Sequence, residues 1–127
     1  MSFKSNLINI VLVETSHPGN IGSVARAMKT MGLSNLSLVN PRKFPSGEAN
    51  ALSGNAGDVL ENAQIFSCIE EAIKDSTFVY ATSSRSRTIQ WPTVHAEEGA
   101  SLINTQVTSD KKVSILFGRE DRGLTNE

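Results

Sequence analysis

Short apolar runs alternate along this chain with stretches of helical spacing. Leu7 to Val13 reads LINIVLV and predicts a strand, because Ile and Val crowd a pleated, buried surface. Ile21, Val24, Ala25, Met28 and Met31 recur at helical spacing, so residues 21–31 predict an amphipathic helix that stops at Gly32. NLSLV, Asn35 to Val39, predicts a second strand closed by Asn40-Pro41. Residues 48–63 are rich in Ala and Gly and predict one or two short helices, and Gln64 to Phe66 a short strand. Ser67 with Glu70 three residues on reads as a capping box opening a helix over 67–74. Thr77 to Thr82 predicts a strand, Ala96 to Ile103 a helix, and Lys112 to Gly118 a last strand.

The strands look buried and the helices intervene, so the chain predicts an α/β fold with a mostly parallel sheet flanked by helices. Ligands of such sheets sit beyond the carboxyl ends of the strands. Four loops follow: 14–20, 40–46, 83–92 and 119–125. Every arginine (Arg26, Arg42, Arg85, Arg87, Arg119, Arg122) lies in or just beyond a segment that follows a strand-like run.

A chain of 127 residues with 39% hydrophobic and 20% charged content predicts one globular domain. No apolar run approaches a membrane span, and Met1 to Lys4 leads into a strand pattern without a signal-peptide core. Cys68 is the sole cysteine, read as a buried small apolar residue, and a reducing cytoplasm fits. His17 and His95 lack partners at metal spacing, so no metal site is predicted. The net charge is -1, yet a neutral protein can own a positive face. Thr125, Asn126 and Glu127 read as an N-cap and acidic first turn, which predicts a domain over 1–127 truncated at its C-terminal end.

PGNIG, Pro18 to Gly22, matches neither the dinucleotide fingerprint nor the P-loop, so it is a polar-ligand loop or a plain turn into a helix. Arg26 lies about 140° around the helix from Ile21 at ~100° per residue, away from the apolar face. Gly22 sits four residues before it and would open an approach. That arginine is either functional or solvated surface. Thr82 to Thr88, TSSRSRT, suits a polar ligand with a phosphate, or is an ordinary polar loop. Trp91 stacks on a base or packs its loop. Phe117 to Leu124, FGREDRGL, flanks a charged quartet with glycines.

Together, VLVETSHPGNIGSVARAMKTMGL, LVNP, TSSRSRT and LFGREDRGLTNE resemble the TrmJ-like tRNA ribose 2′-O-methyltransferases of the SPOUT (TrmH-type) superfamily. The resemblance covers nearly the whole chain. It implies a SPOUT-type α/β fold with a C-terminal trefoil knot that binds S-adenosylmethionine, a homodimer, and methylation of the ribose of nucleotide 32, cytidine or uridine, in the tRNA anticodon loop. By resemblance, Asn20 and Arg26 are catalytic. Thr82, Ser83, Ser84, Gly118, Glu120, Gly123 and Leu124 contact S-adenosylmethionine, and Arg85, Arg87 and Arg119 face RNA. The knot-completing Ser/Asn segment has no counterpart here, so the chain alone is expected to be inactive. A guanidinium holds its protons too tightly to serve as a literal base, which favours a role for Arg26 in stabilising developing alkoxide charge. The competing readings are a non-catalytic nucleotide- or RNA-binding α/β module and a Rossmann-type oxidoreductase, the latter disfavoured by glycine spacing and the missing ribose acid.

Overall fold

The computed structural model describes residues 5–15, 18–41, 54, 56–82 and 96–118. Its elements are strands β1 (Ile8–Val13), β2 (Asn35–Val39), β3 (Gln64–Phe66), β4 (Phe78–Ala81) and β5 (Val113–Phe117), with helices α1 (Pro18–Met31), α2 (Gly57–Glu61), α3 (Ile69–Ile73) and α4 (Ala96–Thr108). A single 3-10 turn, Ser5–Leu7, precedes β1. All described strand pairs are parallel, in the order β3-β2-β1-β5-β4. The chain builds outward from β1 to β3, then crosses to the far edge and returns at β5. The direction of winding therefore reverses between β1 and β5, where open α/β sheets hold ligands.

Alternation in β1 separates two cores. Ile8, Ile10 and Leu12 join Ile21, Ala25 and Met28 of α1, Val59 and Leu60 of α2, and Val107 of α4. Val11 and Val13 join Val39, Leu116 and Ala72 of α3 on the opposite face. Ile21 and Met28 are each 1% exposed, and full burial of such a side chain stabilises by about 1.5–3 kcal/mol. β1, β2 and β5 are buried on most positions, as a parallel sheet covered on both faces requires.

α1 begins at Pro18 rather than Ile21, since Pro is well suited to the first helical position. It ends as predicted at Gly32, with φ +78°; Leu33 N donates to Met28 O at 2.8 Å and Gly32 N to Lys29 O at 3.2 Å. That is a Schellman stop, with Leu33 buried beside Met28. α4 runs five residues past Ile103, because Val107 repeats the apolar face one turn on. The capping box does not form: Cys68 is the N-cap of α3 and makes no side-chain cap bond. Ser67 Oγ instead donates to Glu71 Oε1 at 3.2 Å, because the helix starts one residue late for the Ser67–Glu70 pairing. Cys68 is half-buried rather than buried.

Polar residues also cross the centre of the sheet. Ser37 Oγ of β2 donates to Asn9 Oδ1 of β1 at 2.7 Å. Asn9 Nδ2 donates to Ser114 Oγ of β5 and to Ala72 O, both at 3.2 Å. Ser114 Oγ also meets Ser76 Oγ. Asn9, Ser37 and Ser76 line a depression of about 440 Å3 toward the amino ends of the strands.

Candidate functional site

β1 and β5 end side by side, with Leu12 opposite Phe117 in register. Beyond them, against α1, lies an open depression of about 570 Å3. Its apolar wall includes Leu12, Val24, Met28 and Phe117; its polar positions are Thr15, Asn20, Ser23 and Gly118. Volume and lining are those of a small-molecule site or a docking groove. Met31, 62% exposed, and Phe117, 39% exposed, stand at its open side. Met31 belongs to the apolar stripe of the sequence but faces this opening instead of the core.

Asn20 and Gly118, far apart in sequence, thus line one cavity. Thr82 follows β4, on the other side of β5 from β1 and outside the lining of that cavity. Its N–H and its Oγ1 both donate to Leu116 O at 3.0 Å, two residues before Gly118. The hydroxyl is oriented by that bond and keeps acceptor capacity. Arg26 is exposed, as its helical position predicts. It lies about 120° around α1 from Asn20 at ~100° per residue, so the two catalytic candidates occupy different flanks. Gly22 is buried, and the open approach near the helix start is offered by Asn20 and Ser23 instead. Ser83, Ser84, Arg85, Arg87, Arg119, Glu120, Gly123 and Leu124 lie outside the described residues, as do Trp91, His17 and His95.

Two strand ends carry positive φ at non-glycine residues, Glu14 at 54° after β1 and Asn40 at 49° after β2. Their N–H groups continue the ladder, Glu14 to Val39 O at 2.8 Å and Asn40 to Phe66 O at 2.9 Å. Such conformations cost a side chain energy and gather at functional rims. Sequence reading placed both at the starts of loops of interest but did not give their conformation, and it passed over Gly54, where an added Cβ would contact Arg26.

Among the described residues, no group of three or more His, Cys, Asp or Glu side chains could hold a metal ion, and no helix is long and apolar enough to cross a membrane.

Residues 7–127 match the profile of the SpoU rRNA Methylase family. The chain belongs to that family. The match spans both rims of the depression and every candidate site residue named above. Over 120 residues, 94% of this chain, the SpoU domain is 52% identical to the tRNA (cytidine/uridine-2′-O-)-methyltransferase TrmJ of Salmonella typhimurium and covers 49% of that protein. The chain spans about half the length of the curated relatives it matches. Among solved structures, a probable methylase family protein from Haemophilus influenzae Rd KW20 superposes with a TM-score of 0.87 at 45% identity, over 95% of this chain and 50% of that one. TrmJ from Z. mobilis ZM4 gives 0.87 at 39% identity, over 93% of this chain and 52% of its own. The parallel five-stranded sheet is therefore the SpoU/SPOUT methyltransferase fold that the sequence motifs imply.

Proposed function

We propose that this SpoU chain forms residues 1–127 of an S-adenosylmethionine-dependent methyltransferase domain acting on the ribose 2′-hydroxyl of tRNA. The favoured target is the cytidine or uridine at nucleotide 32 of the anticodon loop. The observation that carries this reading is the 52% identity to TrmJ across 94% of the chain. The placement of Asn20 and Gly118 in one depression at the β1 and β5 ends supports it.

The described residues fit S-adenosylmethionine by the chemistry of their donor set. Gly118 brings backbone without a side chain to the rim, and Thr82, after β4, brings an oriented hydroxyl. Ser83, Ser84, Glu120, Gly123 and Leu124 would hold the same group. The bound donor supplies an electrophilic methyl on a sulfonium. Asn20 orients the ribose through its amide. Arg26 offers a planar guanidinium that stabilises the developing alkoxide charge as the 2′-hydroxyl gives its proton to solvent water and takes the methyl. Arg85, Arg87 and Arg119 grip tRNA phosphates. The working unit is a cytoplasmic homodimer, with no metal and no membrane. Residues 1–127 alone would be inactive and self-associating, since Met31 and Phe117 leave apolar surface uncovered.

Calorimetry on the full gene product tests the cofactor step. Saturable, metal-independent binding of S-adenosylmethionine or its demethylated product is expected. No binding of either contradicts the reading and favours a non-catalytic RNA-binding module.

A further inference from the structure

Arg26 leaves α1 on the flank opposite the core-facing side of the helix, and there its stem meets a glycine. A Cβ built on Gly54 would lie 3.7 Å from Arg26 Cδ and 3.8 Å from Arg26 Nε. These are ordinary contact distances, so a side chain's first carbon at 54 would pack on the arginine where its stem joins the guanidinium. Gly54 has φ +60°, a conformation glycine adopts without penalty.

The described chain from Ala56 onward is anchored. Ala56, two residues past Gly54, is fully buried, and its carbonyl accepts from Val59 N at 3.0 Å and Leu60 N at 3.4 Å. Val59 and Leu60 pack in the same core as Ile21, Ala25 and Met28 of α1. Lys29, one turn beyond Arg26, donates from Nζ to Asp58 Oδ2 of α2 at 2.9 Å. The chain from Ala56 onward is thus fixed to the helix that carries Arg26.

We propose that Gly54, held by buried Ala56 and by the Lys29–Asp58 pair, is a positioning residue that sets the direction of the Arg26 guanidinium during methyl transfer. The inference rests on the proposed activating role of Arg26. An exposed arginine samples many rotamers, and a wall along Cδ and Nε removes those that swing toward α2. A methyl at 54 is accommodated at ordinary contact distance. A longer side chain would enter the space the guanidinium occupies.

The test uses the full gene product. Gly54→Asn keeps the positive φ accessible, since asparagine tolerates it, and extends past Cβ. It is expected to lower kcat by roughly ten- to a hundredfold, the scale of a small misplacement near the reacting atoms. KM for tRNA and Tm should stay close to the parent. In the Arg26→Ala background the same substitution should have no further effect. An equal loss in both backgrounds overturns the proposal. Relaxation of the Arg26 Nε–H resonance reads positioning without activity. It should report an ordered side chain in the parent. A mobile Nε–H in the parent also overturns the proposal. Unchanged turnover of Arg26→Ala, with an ordered Nε–H, instead removes the catalytic role of Arg26 and leaves the positioning geometry standing.

Discussion

Lys29 Nζ and Asp58 Oδ2 stand 2.9 Å apart and join α1 to α2 beside the arginine proposed to activate the ribose. Both side chains are largely solvated, at 42% and 55% exposure, so the pair contributes little stability. Its hydrogen bond to Lys29 nevertheless holds the Asp58 carboxyl below its ordinary value of 3.8, against an opposing effect of desolvation. A carboxyl with a lowered folded-state pKa stabilises the fold above its unfolded value and loses that contribution as pH falls through the folded one. Asp58→Asn should therefore lower Tm slightly at neutral pH. The gap should hold down to about pH 5 and close in more acid solution. Thermal melts of parent and variant across pH check it. A gap that widens in acid contradicts the assignment.

Asn9 joins β2, β5 and α3 through one amide. Asn9→Ala would take the Asn9 partner from Ser37 and the Ala72 carbonyl, while Ser114 keeps Ser76, and an unsatisfied buried polar group costs about 1–3 kcal/mol. Urea unfolding should show a loss within or above that range, with tRNA affinity retained because the cluster lies away from the carboxyl ends of the strands.

Glu14 adopts φ 54° where asparagine would sit more easily. Glu14→Asn is expected to raise stability by up to about 1 kcal/mol, while Asn40→Ala should lower it by about 1–2 kcal/mol. Chemical denaturation measures both. If Glu14→Asn stabilises and also weakens methyl transfer, the strained carboxylate serves the site.

Much of this was legible in the sequence. Ile and Val runs marked the five strands, and Gly32 marked the end of α1, because these signals are local. The exposure of Arg26 followed from helical spacing alone. What was not legible depends on contacts across the chain. Asn9, Ser37 and Ser114 each interrupt an apolar strand, which was a visible signal, but their convergence needs the strand order. Ser67 looked like a cap because spacing alone cannot fix where α3 begins. Gly22 looked like an opening until the helix was packed. The separation of Asn20 and Arg26 onto different flanks, and the passage of Gly54 beside Arg26, are consequences of tertiary packing.

Arg26→Ala in the full gene product should lower the single-turnover methylation rate by about a hundredfold or more at saturating tRNA. Arg26→Lys should not restore it, because an ammonium lacks the planar fork. Arg87→Ala should instead weaken tRNA binding and flatten its salt dependence. Near-parent rates for Arg26→Ala would return this arginine to solvated surface.

The central claim is methyl transfer to a tRNA ribose, and position-resolved alkaline hydrolysis tests it most directly. A 2′-O-methyl removes the hydroxyl that attacks the neighbouring phosphate, so the modified nucleotide resists cleavage on its 3′ side. Transcripts bearing cytidine or uridine at nucleotide 32 should gain that resistance there after incubation with S-adenosylmethionine and the full gene product, and Arg26→Ala should abolish most of it. Full cleavage at nucleotide 32, with the methyl absent from tRNA or found on a base, would contradict the account.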